Sequence, residues 1–264
     1  MKKIRALLLA AGLGTRLRPL TDNCPKCLVP IRGRPLLEHW LTTLYRSGIR
    51  NVLVNLHHHR ELVQSFLDRE QFRSWVTSGY EENLLGTAGT LRENIDYFRG
   101  STVLLIHADN WCQCRFEEFL EYHRSLKPAG TAMTMMTFRT PMPSSCGIVE
   151  VDSKGIVTRF HEKVTQPPGN LANGAIYMFG SEIMEWIVEQ KTVDDFSTQV
   201  IPEFLRRIAT WENRGIHRDI GQIESLLEAQ NDCCADSHWS VMDDWDQAYQ
   251  LNPIHDQLVR AQNG

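Results

Sequence analysis

An α/β fold, with a mostly parallel mixed sheet and helices on both faces, is what three observations on this sequence predict. Short apolar, β-rich runs alternate with amphipathic segments through the first half of the chain, the β-α-β-α order of a parallel sheet. The pattern then changes to closely spaced strand-like runs, which marks a β-rich insertion in the second half. With 264 residues, 42% of them hydrophobic, the chain can bury a sizeable core as one large domain or two small ones.

The elements follow in order. Ile4–Ala10 is apolar but too short to span a bilayer, and Gly12, Arg16 and Arg18 come at once. It therefore reads as a buried strand rather than a secretory leader. Leu36–Arg46 has helical spacing, and Gly48 gives it a stop. Asn51–Asn55 is a second strand, Glu61–Asp68 a second helix and Trp75–Tyr80 a third strand. Thr87–Asp96 is helical, Thr102–His107 is a strongly apolar fourth strand, and Phe116–Arg124 is again helical. Ala132–Phe138, Ile148–Val151, Ile156–His161 and Ala175–Phe179 read as strands, with Asp152-Ser-Lys-Gly155 as a hairpin link. Helices return at Ser181–Val188, Thr198–Arg207 and Ile223–Gln230. Residues 231–264 have weak periodicity, two Trp and many Asp, and read as a small appendage or an oligomer contact. No internal repeat is visible.

Composition narrows the partners. A net charge of -4 argues against broad binding to a nucleic-acid backbone, so any affinity for phosphate has to come from a local site. No run is long enough for a membrane span, and a cytoplasmic location is expected. Cys24-x-x-Cys27 and the adjacent Cys233 and Cys234 raise redox or zinc chemistry, but no second ligand pair stands at matching spacing. An odd total of seven favours free thiols. His57-His-His59, between a strand and a helix, reads as loop histidines rather than a metal tract. Asp194-Asp195 and Asp243-Asp244 read as solvated or helix-capping carboxylates.

The residues that carry chemistry begin after the first strand, in Leu9-Ala-Ala-Gly-Leu-Gly-Thr-Arg-Leu-Arg-Pro-Leu-Thr21 and Pro25-Lys-Cys-Leu-Val-Pro30. A loop at the carboxyl end of a parallel strand is where open α/β sheets bind nucleotides. Gly12 and Gly14 would permit positive φ and let backbone N–H groups approach phosphate oxygens. Arg16 adds a bidentate cation for the same oxygens. Position 17 is Leu, so the Gly-x-Gly-x-x-Gly dinucleotide fingerprint of a Rossmann oxidoreductase is incomplete, and the Gly-Lys-Ser/Thr of a Walker loop is absent.

Gly12–Thr21 followed by Pro25–Pro30 resembles the signature of the sugar-phosphate nucleotidyltransferases, the NDP-sugar pyrophosphorylases. Further segments resemble that family in the same order: Leu85-Gly-Thr-Ala-Gly89, His107-Ala-Asp109, Gly147, Phe160-His-Glu-Lys163, Asn173-Gly-Ala-Ile-Tyr177 and Arg218-Asp-Ile-Gly-Gln222. Together they cover roughly residues 4–230, close to a whole catalytic domain. The resemblance implies a Rossmann-like catalytic domain over residues 1–230, with the β-rich insertion binding sugar and residues 231–264 as the appendage. It implies transfer of a nucleotidyl group from an NTP to a sugar 1-phosphate, with Mg²⁺ as cofactor and pyrophosphate released. Arg16 and Lys26 would be catalytic, and Asp109 and Asp219 the metal ligands. Leu9, Ala11, Gly12, Gly14, Thr15, Glu81 and Gly86 would bind the nucleotide; Gly147, Glu162, Lys163 and Asn173 would bind the sugar phosphate. Oligomeric state stays open.

Departures from the family pattern cluster on the sugar side. Val164-Thr-Gln-Pro-Pro168 stands where Pro usually follows Glu-Lys, His217 replaces a common aromatic, and the order Asn173-Gly174-Ala175 is permuted. Ala11 stands where Gly is frequent. On the base side, Glu81 is expected to select guanine, because a carboxylate only accepts hydrogen bonds and guanine offers N1–H and N2–H₂. The motifs look most like the mannose 1-phosphate guanylyltransferase branch. A uridylyl-, thymidylyl- or cytidylyltransferase, and a non-catalytic regulatory subunit that binds nucleotide sugar, are the alternatives.

Overall fold

The apolar run that opens the chain forms strand β1 (Ile4–Leu9), with Ala6, Leu7 and Leu8 wholly buried. In this computed structural model the described residues are 3–234, 236–239 and 242–263. Met1 and Lys2, which open the leader reading, and Ala235, Ser240, Val241 and Gly264 of the C-terminal tail lie outside them. Next come β2 (Pro30–Ile31), β3 (Arg34–Pro35), α1 (Leu36–Arg46), β4 (Val52–Leu56), α2 (Arg60–Leu67), β5 (Val76–Tyr80), α3 (Thr87–Glu93), α4 (Ile95–Phe98), β6 (Thr102–His107), β7 (Asn110–Gln113) and α5 (Phe116–Glu121). The second half holds β8 (Met133–Arg139), β9 (Gly147–Val151), β10 (Val157–Glu162), β11 (Leu171–Phe179), α6 (Ser181–Glu189), α7 (Ile201–Glu203), β12 (Ile208–Glu212), β13 (Ile216–Asp219), α8 (Ile223–Asn231), α9 (Asp244–Gln250) and α10 (Ile254–Asn263). Helices alternate with strands, and the strands pair both in parallel and antiparallel, which makes the fold α/β.

The chain divides into two compact units. The first is Met1–Leu7, Leu85–Ile106 and Cys114–Gly215. Its strands lie in the order β10-β9-β11-β6-β1, with β8 pairing β11 and β12 pairing β8. Pairing here is antiparallel for β10–β9, β9–β11, β11–β8 and β11–β6, and parallel for β12–β8. Met133, Met135, Ile148, Ile176, Met178 and Phe179 are among the buried core residues. The Asp152–Gly155 link is the tight turn expected, closed by Gly155 N–H donating to Asp152 O at 3.0 Å with Gly155 at φ 74.

The second unit is Leu8–Leu84, His107–Gln113 and Ile216–Gly264. Strands β4 and β5 pair in parallel with α2 packed against them, and α1 packs against β3, with Leu36, Leu37, Leu41, Leu44, Val54 and Phe66 buried. Two short ladders complete it: β2 with β3, and β13 with β7. The second places Asp219 opposite Asn110, so the end of β13 arrives beside Asp109.

Several features differ from the sequence reading, among them two elements and one loop residue. The expected Thr198–Arg207 helix is a π-turn at Phe196–Val200 followed by the single turn of α7. Pro202 fits only the first turn of a helix, and Arg206 at φ 65 takes the left-handed conformation that ends one. β11 begins at Leu171 rather than Ala175, because a bulge between Asn173 and Tyr177 breaks the alternation that marks a strand. Gly12 does not adopt positive φ; Gly14 does, at φ 63.

Candidate active site

In the second unit, four charged side chains meet. Lys26 lies in a 3₁₀ turn, Lys26–Leu28, and is 4% exposed. Its Nζ donates to Asp109 Oδ2 at 2.9 Å and to Asp219 Oδ1 at 3.3 Å. Arg16, from the turn Thr15–Leu17, donates through Nη2 to Asp219 Oδ2 at 3.2 Å. The backbone N–H of Gly221 donates to Asp219 Oδ1 at 2.8 Å. Burial alone would raise the Asp219 carboxyl, but the charges of Lys26 and Arg16 and the Gly221 amide outweigh it and hold the group below its usual range.

The loop glycines have separate reasons. A Cβ on Gly14 would lie 3.0 Å from Thr21 Cγ2 and 3.2 Å from Lys26 Cβ, on a backbone at φ 63. Thr21 Oγ1 also donates to Gly14 O at 2.8 Å, tying the two signature segments together. A Cβ on Gly12 would meet nothing within 4 Å, so open space lies against that backbone. A Cβ at Gly221 would fall against Arg16 Nη2, so a larger residue would displace the guanidinium from its present contact with Asp219.

Asp109 and Asp219 were expected to hold Mg²⁺. Both already share one cation, the Lys26 ammonium. Mg²⁺ commonly takes one or two carboxylates and completes its shell with water and substrate phosphate, which this pair fits. Among the described residues no cluster of three or more His, Cys, Asp or Glu side chains forms an all-protein metal cage.

Glu81 follows β5 and is 6% exposed. Asn55 Nδ2 donates to Glu81 Oε1 at 3.0 Å, and Ala10 N–H donates to Asn55 Oδ1 at 2.7 Å. Asn55 thus connects the segment after β1, where Leu9 ends the strand and Ala11 is buried, to the carboxylate expected to read the base. His57 Nδ1 hydrogen-bonds Glu81 O at 2.9 Å, and His59, at φ 51, precedes α2. Cys24 and Cys27 are buried free thiols, and burial pushes the Cys24 thiol up to about 12, away from thiolate chemistry at neutral pH.

The first unit gathers the residues expected on the sugar side. Gly147 pairs with Glu162 across β9–β10. A Cβ there would lie 2.6 Å from the Phe160 ring and 2.7 Å from Glu162 Oε2, so Gly147 makes room for both side chains. Lys163 takes φ 49, its N–H donates to Cys146 O at 3.2 Å, and its Nζ lies 3.6 Å from Glu162 Oε1. Asn173 accepts from Ala175 N–H at 2.9 Å through Oδ1 and donates to the buried Tyr177 hydroxyl at 2.6 Å. Gly86, at φ 77, opens α3, and a Cβ on it would lie 2.4 Å from Asp194 O. Asp195 accepts from Thr198 N–H at 2.7 Å, a capping role.

Asn55 and Gly221, which hold Glu81 and Asp219 in place, were passed over by motif reading. A polar residue inside the otherwise apolar Val52–Leu56 strand was the signal for the first. The second stood within the quoted Arg218–Gln222 segment without a role.

The family model described as nucleotidyl transferase matches residues 5–236. A mannose-1-phosphate guanyltransferase of Candida albicans is 28% identical over 230 residues, covering 85% of this chain and 63% of that protein. The Saccharomyces cerevisiae protein of the same name is 26% identical over 230 residues with the same coverage. The aligned part thus spans less than two thirds of these curated relatives. A Bacillus anthracis crystal structure, described provisionally as a glucose-1-phosphate thymidylyltransferase in complex with sucrose, superposes with a TM-score of 0.77 at 20% identity, covering 92% of this chain and 99% of that one.

Proposed function

The chain belongs to the nucleotidyl transferase family, and from that membership we propose that it transfers a nucleotidyl group from GTP to a sugar 1-phosphate, with mannose 1-phosphate as the sugar substrate, releasing pyrophosphate. The observation that carries the reading is the convergence of Lys26 and Arg16 on Asp219, with Asp109 as the second partner of Lys26. An oxygen of the sugar phosphate attacks the α-phosphorus, the bond from the α-phosphorus to the bridging oxygen breaks, and pyrophosphate leaves. The attacking oxygen is already ionised, so no general base is needed; positioning and charge neutralisation do the work. Lys26 and Arg16 face the charge that builds on the phosphates, already oriented by the carboxylates that hold them. Mg²⁺, when bound by Asp109 and Asp219, would supply the remaining positive charge. In the first unit, Glu162 is assigned the sugar hydroxyls and Lys163 the sugar phosphate.

The base assignment rests on Glu81. Its carboxylate has about four acceptor sites, and Asn55 fixes its orientation through one oxygen. Against guanine it accepts from N1–H and N2–H₂; against uracil or thymine it meets carbonyl oxygens. Unpaired polar groups reject a wrong substrate by up to about 10⁴-fold in a dry site. The test is a pyrophosphate-release assay over a matrix of nucleoside triphosphates and sugar 1-phosphates. GTP with mannose 1-phosphate should give the highest kcat/KM, and Glu81→Gln should narrow the margin over UTP and dTTP. A wild-type preference for a pyrimidine triphosphate would overturn the guanine reading and leave the phosphate chemistry standing.

A further inference from the structure

The segment beyond residue 236 lies outside the family match, yet it grips the backbone that carries Lys26. Tyr249, on α9, is 6% exposed, and its hydroxyl donates to Leu28 O, in the turn headed by Lys26. The ring is held by stacking on Trp245 at 4.9 Å and 17°, and by the edge of His255 at 5.0 Å. Helix α9 is itself anchored. Arg69, 7% exposed, donates to Asp243 Oδ2 at 2.7 Å and to Asp246, while those two aspartates close a capping box on the helix start. Further along the same stretch, Gln250 Nε2 donates to Gly33 O at 3.0 Å. Gln230 donates to Pro30 O at 2.9 Å and accepts from Arg32 N–H at 2.8 Å.

We infer that Tyr249 is a positioning residue for Lys26: through Leu28 O, the C-terminal segment holds the Lys26 turn so that its ammonium sits at the reacting phosphates. The inference rests on the catalytic role proposed above for Lys26. The physical reason is leverage. The Lys26 side chain is 5% exposed and held by two carboxylates, so a backbone shift would strain those contacts or force a change of rotamer in a packed site. A misplacement of about 1 Å in a reacting geometry can cost on the order of 10²-fold in rate. Leu28 N–H donates to Pro25 O at 2.8 Å and Val29 N–H to Lys26 O at 3.2 Å, so a pull at Leu28 O is transmitted directly to the turn. A hydroxyl that merely filled hydrogen-bonding capacity would support stability and leave the rate of the folded enzyme alone.

The test compares wild type, Tyr249→Phe and Lys26→Ala in steady-state pyrophosphate release, well below each protein's unfolding temperature, with hydrogen exchange of the 24–31 peptide measured alongside. Tyr249→Phe should lower kcat about 10-fold with KM for both substrates unchanged, and speed exchange at Val29. If that variant does not fold, Asp246→Asn, which weakens the anchor on Arg69 and keeps the hydroxyl, should give a smaller loss of the same kind. An active wild type, an inactive Lys26→Ala and a Tyr249→Phe with unchanged kcat would overturn the positioning role alone. A Lys26→Ala that retains wild-type kcat would instead overturn the reading of Lys26 on which it rests.

Discussion

Lys26 is a buried ammonium, and burying a charge is tolerable only where it is paired. Asp109 and Asp219 are therefore both structural partners and, in the proposed chemistry, metal ligands. Arg16 differs: its side chain is 60% exposed, and its pairing with Asp219 adds little to stability. Truncation should separate the two. Arg16→Ala and Lys26→Ala should each lower kcat by about 10²-fold or more, as loss of a preorganised electrostatic contact commonly does. Thermal unfolding should move for Lys26→Ala and stay put for Arg16→Ala. A change confined to KM would make either residue a simple binding contact. Asp109→Ala or Asp219→Ala should abolish most turnover while the fold survives, and EDTA should do the same to wild type; full activity under EDTA would remove the metal from the scheme. The charged residues of this cluster were legible in sequence because glycines, Arg16 and Lys26 stand in two adjacent segments. Asn55 and Gly221 were not, because each acts by orienting another side chain and leaves no motif of its own.

At the scale of elements, long periodic segments were readable and short or interrupted ones were not. Helix α1 matched its expected span because the apolar spacing and Gly48, at φ 76, fix both ends. β7 and β13 escaped notice: each has four residues of mixed polarity, and they pair across a long stretch of chain. Yet that ladder is what brings Asp219 to Asp109, so the motif order in the sequence anticipated a meeting whose structural cause it did not contain. The β9–β10 hairpin offers a direct test of an element carrying function. Gly147→Ala would place a methyl 2.6 Å from the Phe160 ring and 2.7 Å from Glu162 Oε2, and one of these must move. Overpacking of this kind typically costs about 1–3 kcal/mol. The variant should unfold at lower temperature and show a raised KM for sugar phosphate, with KM for the nucleotide unchanged. Unaffected sugar-phosphate kinetics in both this variant and Glu162→Gln would remove Glu162 from the sugar site.

Across the whole molecule, acid sensitivity should come in part from His39, buried in the second unit, and His123, half-buried in the first, both held in the neutral state. In the second unit, burial and then the nearby Arg34 charge lower His39 from 6.5 to about 3. Its ring bridges Arg34 and Ile31 O at 2.9 and 3.1 Å, an arrangement that needs one protonated nitrogen and one bare one. In the first unit, burial and then Lys127 and Arg124 lower His123 to about 4, with Nδ1 2.8 Å from Thr134 Oγ1. Between these values and 6.5 the unfolded chain binds a proton at each histidine that the folded chain does not. Stability contributed by the neutral rings is therefore fully present above pH 6.5 and falls as the pH drops toward 4, by about 1.4 kcal/mol per pH unit for each group. Neither histidine belongs to the proposed catalytic cluster, so the effect should appear in unfolding rather than in kcat of the folded enzyme. Thermal unfolding followed from pH 7.5 to 4.5 should show Tm falling below pH 6.5, with His123→Gln flattening part of the slope because Gln can keep the contact to Thr134 without titrating. A Tm independent of pH across that range, or an unaltered slope in His123→Gln, would show that the ring is accessible to protons in the folded state.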